Sequence, residues 1–312
     1  MDQFNVYKDM KARTNGEIYI GVVGPVRTGK STFIKRFMNL MVLPNIEDEN
    51  DRNRANDELP QSSSGKTIMT TEPKFVPNEA VSIKTEEGIE LNVRLIDCVG
   101  YMVEGATGHM EGEEERLVKT PWFDYEIPFT KAAAIGTKKV ITEHSTIGVV
   151  VTCDGSFGEI AAKQYEPAEE ETIKQLKALK KPFVVLLNTI HPYSESTKQL
   201  AAEKEEKYQT KVLPMNLEQM KKEDIYEIIK SVLMEFPISS IGFYVPRWTE
   251  MLKKDHPLKM ELLQMARDVI TEKTTMRDIY EEQEKEYEYI TGQKLESVAM
   301  DSGEVVITVK VG

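Results

Sequence analysis

"GPVRTGKST", residues 24–32, decides the fold. Two glycines bracket four residues, and a lysine and a serine follow the second. The stretch before it, Ile18-Tyr19-Ile20-Gly21-Val22-Val23, is apolar and rich in β-branched residues, the pattern of a buried strand. The stretch after it, Phe33 to Met38, has helical spacing. A strand feeding a helix through GxxxxGK[ST] is the context of a phosphate-binding loop. Gly24 and Gly29 permit backbone angles and a close approach that a side chain blocks. The candidate nucleotide-binding segment is therefore Gly24, Pro25, Val26, Arg27, Thr28, Gly29, Lys30, Ser31 and Thr32. Its N–H groups and the helix N-terminus face an anion. Lys30 reaches the β/γ-phosphates and Ser31 ligates Mg²⁺.

Moving outward, Val93-Arg94-Leu95-Ile96-Asp97 is an apolar strand that ends in an acid, the position at which an aspartate holds Mg²⁺, usually through water. Asp97-Cys98-Val99-Gly100 also fits DxxG, in which the Gly100 N–H meets the γ-phosphate. Between loop and strand lies Thr67-Ile68-Met69-Thr70-Thr71-Glu72-Pro73, where GTPase-like proteins place a threonine that senses γ-phosphate and Mg²⁺. Spacing does not choose between Thr70 and Thr71. Lys30, Asp97, Thr70 and Thr71 are thus the candidate catalytic residues, and Ser31, Asp97 and Thr70 or Thr71 the candidate Mg²⁺ ligands.

Two departures narrow the chemistry. A guanine-specific protein needs NKxD after the fifth strand of the unit; here the stretch is Asn188-Thr189-Ile190-His191. Asn188 stays a candidate nucleotide contact, but the lysine and the base-reading aspartate are missing, and losing such a polar partner removes orders of magnitude of discrimination. ATP is the expected nucleotide. Tyr101 follows DxxG where many GTPases keep a water-orienting glutamine, so turnover is expected to be slow.

The apolar runs predict strands at 17–23, 81–85, 91–96, 145–154, 181–189 and 210–216, and helices at 30–42, 167–180 and 223–234. Residues 81–85 and 91–96 form an antiparallel hairpin across Glu86-Glu87-Gly88. The pattern is α/β: a doubly wound, mostly parallel, GTPase-like P-loop sheet, followed by a partial second α+β domain. The expected domains are 1–237, a P-loop ATPase domain, and 238–312, a connector and the start of a middle domain that continues beyond this chain. Within the first, 47–66 reads as a mobile acidic insertion, because 47–58 carries six acids and two arginines with no apolar period. Residues 237–252 read as a connector, 247–270 as a helix, 278–289 as a solvated acidic helix, and 296–312 as a hairpin turning at Asp301-Ser302-Gly303.

Of the 312 residues, 40% are hydrophobic and 29% charged, and the net charge is -12. The acidic balance argues against a broad nucleic-acid interface, which needs a basic face. Cys98 and Cys153, the two cysteines, each end an apolar run and suggest buried thiols rather than a disulfide framework. No signal peptide and no run of ~18 apolar residues is present, so the expectation is a cytoplasmic protein with peripheral membrane contact at most.

"IGVVGPVRTGKSTFIKRFM", "TIMTTEPKFVPNEAV", "RLIDCVGYMVEGATGHMEGEEERLVKTPWFD" and "VLLNTIHP" closely resemble the stage IV sporulation protein A family, and the likeness runs over the whole chain. The resemblance implies a cytoskeletal-like ATPase that binds and hydrolyses ATP with Mg²⁺ and polymerises with itself. It implies the base layer of the spore coat at the outer forespore membrane, in the mother-cell cytoplasm. It also implies two kinds of partner, a small amphipathic membrane peptide (stage V sporulation protein M) and other spore coat proteins. Lys30, Asp97, Thr70 and Thr71 fall on the family's Walker A, Walker B and sensor-threonine positions. Three readings follow: a self-assembling ATPase, a monomeric nucleotide switch, and a structural protein that keeps nucleotide without hydrolysing it.

Overall fold

The computed structural model describes residues 5–60, 72–85, 88–112, 114–158, 160–280 and 285–312. In chain order the elements begin with α1 (Val6–Thr14), β1 (Glu17–Val23), α2 (Lys30–Phe37) and α3 (Glu49–Asp57). Next come β2 (Lys74–Lys84), β3 (Glu90–Asp97), β4 (Met110–Glu111), β5 (Glu114–Glu115), β6 (Leu117–Thr120) and β7 (Phe123–Pro128). They are followed by α4 (Phe129–Lys139), β8 (Ile147–Cys153), α5 (Ala162–Ala178), β9 (Phe183–Asn188), α6 (Glu195–Tyr208), β10 (Val212–Met215) and α7 (Lys222–Met234). The last are β11 (Ser240–Tyr244), α8 (Pro257–Glu272), β12 (Ile290–Ala299) and β13 (Glu304–Val311).

The chain forms two compact units, residues 14–232 and residues 1–13 with 233–312. Residues 1–13, which carry most of the helix before β1, group with 233–312.

In the 14–232 unit, a six-stranded sheet runs in the order β10-β9-β8-β1-β3-β2. Every pairing is parallel except β2 with β3, the expected hairpin, whose turn residues 86–87 lie outside the described residues. β8 (IGVVVTC) and β9 (FVVLLN) are buried at every position, as central parallel strands covered on both faces must be. Parallel neighbours need a crossover, and α5 and α6 supply it. Their apolar residues Ile173, Leu176, Ala201 and Tyr208 join Val23, Val150, Val185 and Leu187 in one core cluster. The register aligns Val22 with Asp97, Val23 with Val150, Cys153 with Asn188, and Asn188 with Met215. The carboxyl ends of five strands therefore meet along one edge of the sheet, where open α/β sheets hold ligands.

Three expectations change in this unit. The helix predicted at 30–42 is α2 followed by a π-helical turn at Met38–Val42, after which comes Pro44. The acidic stretch 47–66, expected as a mobile insertion, contains α3 in its described part. Asp48 caps that helix by accepting from Asp51 N at 2.9 Å, Glu49 and Asp51 occupy the first turn, and Ala55 is buried. A cap and a favourable dipole hold it without an apolar stripe. Residues 61–66 of the stretch lie outside the described residues. Finally, two short hairpins, β4–β5 and β6–β7, stand where no strand was expected. They are short and mostly exposed, and charged residues interrupt their apolar ones, so no long alternation announced them.

In the second unit a three-stranded sheet has the order β11-β13-β12, with β11 parallel and β12 antiparallel to β13. Val305, Ile307 and Val309 on alternate positions of β13 are buried, as are Leu258, Leu262, Met265 and Val269 at helical spacing on α8. α1 belongs here: the Arg13 guanidinium donates to Pro237 O at 2.5 Å and lies over the Phe236 ring at 5.0 Å. The β12–β13 turn closes on the same side chain, since a Cβ on Gly303 would sit 2.2 Å from Arg13 Nη1. The predicted connector 237–252 instead contains β11. Its pairing partner begins at Glu304, and the Ser and Gly in Ser239-Ser240-Ile241-Gly242 dilute the local pattern. The predicted acidic helix at 278–289 is a single 3₁₀ turn at Asp278–Tyr280, with residues 285–289 irregular and 281–284 outside the described residues. The Asp278 carboxylate accepts from Thr274 N and Thr275 N, local bonds that compete with helix extension. The hairpin turning at Asp301-Ser302-Gly303 is observed. Among the described residues no helix is long and apolar enough to cross a membrane.

Candidate nucleotide site

The loop between β1 and α2 is held by contacts that leave no room for side chains at its glycines. Gly24 has φ +127, and a Cβ there would lie 2.4 Å from Val151 O on β8. Gly29 has φ +99, and a Cβ there would lie 2.5 Å from Asn188 Nδ2 at the end of β9. Inside the loop, Thr28 Oγ1 donates to Pro25 O at 3.0 Å. Arg27, between the glycines, also takes a left-handed backbone, φ 62.

Asn188 braces the loop from outside. Its Nδ2 donates to Thr28 O at 3.0 Å and its Oδ1 accepts from Leu217 N at 3.2 Å, just beyond β10. The structure thus places this candidate nucleotide contact against protein backbone, joining three segments at the strand ends. Sequence spacing alone missed the Leu217 partner. It also missed the segment after β8, where Asp154 N donates to Asn188 O at 3.4 Å and Ser156 Oγ accepts from Ile190 N at 3.1 Å.

Lys30 heads α2, is buried, and donates from Nζ to Pro25 O at 2.5 Å and Gly24 O at 3.5 Å. Burial pulls its ammonium below the ordinary lysine range, against the pull of Cys98 and Asp97. At the next residue, Ser31 Oγ donates to Asp97 Oδ2 at 2.7 Å, bringing together two residues 66 apart in sequence. Burial raises the Asp97 carboxyl, opposed by the Ser31 bond and the Lys30 charge. Among the described residues Asp97 Oδ1 is buried with no hydrogen-bond partner.

These donors fit Mg²⁺. A hydroxyl and a buried carboxylate oxygen in need of a partner suit a hard cation that keeps several waters and binds through one or two carboxylates plus phosphate, and the adjoining loop N–H groups suit the phosphate. No group of three or more His, Cys, Asp or Glu side chains arranged to hold a metal occurs among the described residues. Ser31 and Asp97 would hold the ion, and the ion would neutralise phosphate charge.

Gly100 presses on the loop from the DxxG side. Its φ is +94, and a Cβ would sit 2.1 Å from Gly24 O and 2.7 Å from Lys30 Nζ. Next to it, Val26 N donates to Tyr101 O at 3.0 Å, so the loop and the DxxG segment are zipped through backbone. Tyr101 packs against a buried cluster that includes Val26, Cys153, Tyr165 and Ala168, and burial pushes its phenol up to about 12. A phenol that holds its proton so firmly is no general base near neutrality. Burial likewise pushes the Cys98 thiol up to about 11, which makes it inert. The structure therefore brings together Gly24 to Thr32, Asp97, Gly100 and Asn188. Thr70 and Thr71 lie outside the described residues.

A mostly parallel sheet with a glycine loop after its first strand, and an aspartate ending β3 against the serine that follows the loop lysine, defines the P-loop nucleoside-triphosphatase fold class. Residues 1–237 match the family described as Stage IV sporulation protein A, ATPase domain, and residues 238–312 match its middle domain. The chain belongs to the stage IV sporulation protein A family. It is 47% identical over 305 residues to Stage IV sporulation protein A of Bacillus anthracis, covering 97% of this chain and 62% of the relative. It is 54% identical over 275 residues to that of Clostridioides difficile (strain 630), covering 88% of this chain and 56% of the relative. With that of Bacillus subtilis (strain 168) it shares 46% over 305 residues, 97% of this chain and 62% of the relative. The chain thus spans roughly three-fifths of the length of these curated relatives, between 56% and 62%.

Proposed function

We propose that this chain binds ATP with Mg²⁺ at the loop of residues 24–32 and hydrolyses it slowly, and that hydrolysis drives self-assembly into the base layer of a spore coat on the forespore surface. The observation that carries the nucleotide half is the Ser31–Asp97 contact at 2.7 Å, with the second Asp97 oxygen buried and unpartnered. It supports a metal held between the loop and β3, next to the lysine that meets the phosphates. Lys30 would exchange its bonds to Pro25 O and Gly24 O for β/γ-phosphate oxygens. The Gly100 N–H would meet the γ-phosphate. Thr70 or Thr71 would sense it. ATP is favoured over GTP because His191 stands where an aspartate would read guanine.

Family membership supports the assembly half. So do the exposed apolar side chains of the second unit: Trp248, Met251, Met260, Leu263 and Ile270 are all at least half exposed. The proposed setting is the mother-cell cytoplasm at the outer forespore membrane, with peripheral contact only. The proposed partners are further copies of the chain, a small amphipathic membrane peptide and other coat proteins. Phosphate release measured beside sedimentation, with ATP against ADP and GTP, tests the proposal. Release and pelleting that need ATP and Mg²⁺ are expected. Phosphate release without any nucleotide-dependent change in sedimentation leaves a monomeric switch, and nucleotide binding without release leaves a structural protein.

A further inference from the structure

One side chain in the loop is not explained by cradling a phosphate. Gly24, Pro25, Val26 and Thr28 are buried, and Arg27 between them is exposed. Its backbone has φ 62, a left-handed conformation that glycine adopts without strain and arginine does not. Strain retained at a site points to a use for the side chain that brings it. The guanidinium runs out of the loop to the segment after Gly100, where Nη2 donates to Thr107 Oγ1 at 3.3 Å. That segment is the one zipped to the loop by Val26 N and Tyr101 O, and it begins at the glycine packed on Lys30 Nζ. Arg27 therefore reaches from the loop to the segment that begins at Gly100, the one expected to meet the terminal phosphate.

We propose that Arg27 is a catalytic residue of the proposed ATP hydrolysis: its guanidinium leaves Thr107 and contacts the phosphates at the bond that breaks, a positive charge supplied by the chain's own loop. The proposal rests on the reading of the site as an ATPase. In the step, the water oxygen bonds to the γ-phosphorus as the bond from that phosphorus to the bridging oxygen breaks. One water proton stays on the released phosphate and the other leaves to solvent. The bridging oxygen departs on ADP with its electron pair. Arg27 gives no proton; it stabilises the charge that grows on the bridging and γ-oxygens, as a fixed guanidinium does in phosphoryl transfer. With Tyr101 in place of a water-orienting amide, charge stabilisation is the contribution left to this face of the site. Arginine suits it because it is always protonated and its planar fork matches phosphate geometry.

The test uses the 312-residue chain with Arg27→Gly and Arg27→Lys. Glycine removes the side chain and also relieves the strained backbone, so lost activity cannot come from a broken loop. Arg27→Gly is expected to bind ATP within about threefold of the parent while kcat falls roughly 100-fold or more, the pattern of an interaction made in the transition state. It should fail to trap ADP with aluminium fluoride, a mimic of the transferring phosphoryl group that the parent retains. Added guanidinium ion should restore part of the rate, and Arg27→Lys should fall between glycine and parent. If Arg27→Gly releases phosphate at the parent rate, or loses ATP affinity in proportion to rate while still trapping aluminium fluoride, the proposal is overturned. A parent that binds ATP and neither hydrolyses it nor traps aluminium fluoride overturns the ATPase reading and this proposal with it.

Discussion

At the scale of the residue, the site depends on a few atoms with no substitute nearby. Removing the Lys30 ammonium takes away a charge-assisted contact worth about 1.5–3 kcal/mol, so Lys30→Ala is expected to weaken ATP binding about 10- to 100-fold. The folded state should persist, because what the side chain bonds to is loop carbonyl rather than core. Equilibrium binding of a fluorescent ATP analogue, with circular dichroism alongside, checks both halves. Gly100→Ala should be as damaging by a different route. Its Cβ meets a backbone oxygen at 2.1 Å, and backbone cannot swing aside as a side-chain end can. Gly88→Ala is the control: it has a similar positive φ but nothing within 4 Å of the added carbon, so its binding should match the parent's. Asp97→Asn keeps an acceptor for Ser31 and loses the charge. It should bind ATP with little dependence on Mg²⁺, which a magnesium titration of nucleotide affinity reads directly.

Among the elements, the packing of β8, α5 and α6 contains an unusual buried charge. Glu169 on α5 is fully buried, accepts from Thr152 Oγ1 of β8, and pairs with Lys204 of α6 at 2.6 Å. Breaking such a pair leaves a charge in low dielectric, so Lys204→Met is expected to cost about 3–5 kcal/mol in urea denaturation. Glu169→Gln added to it should recover most of the loss, since the amide still accepts from Thr152 and no charge remains. If the single variant unfolds at the parent's midpoint, the pair carries no stability. At this scale the sequence was legible unevenly. β1, β8, β9 and β10 were readable as continuous apolar runs, and β3 as an alternation in which Leu91, Val93 and Leu95 are buried. β11 was not, because its partner at Glu304 lies far along the chain, Ser240 and Gly242 interrupt its apolar residues, and none of its five residues is fully buried. α6 escaped notice because half of its sequence, ESTKQLAAEKEEKY, is charged and its few buried positions include a lysine that only Glu169 explains. The site followed the same rule. Fixed spacing announced Gly24 to Thr32 and Asp97. The brace from Asn188 to Leu217, however, is an amide meeting a backbone N–H, which leaves no mark in a sequence. The left-handed Arg27 was equally silent, since only glycine and asparagine advertise that conformation.

Over the whole molecule, the helix before β1 serves the later unit, and this can be measured. Arg13→Ala removes the bond to Pro237 O, the stacking on Phe236 and the filling beneath Gly303. Faster amide exchange is expected in the β12–β13 hairpin, with ATP affinity unchanged within about twofold, since local stability is not uniform across a structure. Slowed or unchanged exchange in the hairpin would show that α1 is a passenger. The division at residues 13 and 233 also has a consequence in time. A ribosome makes α1 before the 14–232 unit, with Val6 and Met10 ready for burial, and does not begin Phe236, Pro237 and β13 until that entire unit has been synthesised. At about 5–20 residues per second that wait is about 10–45 s, long enough for the six-stranded sheet to close while α1 still has no surface to lie on. A helix made ahead of the sheet is therefore settled only after it.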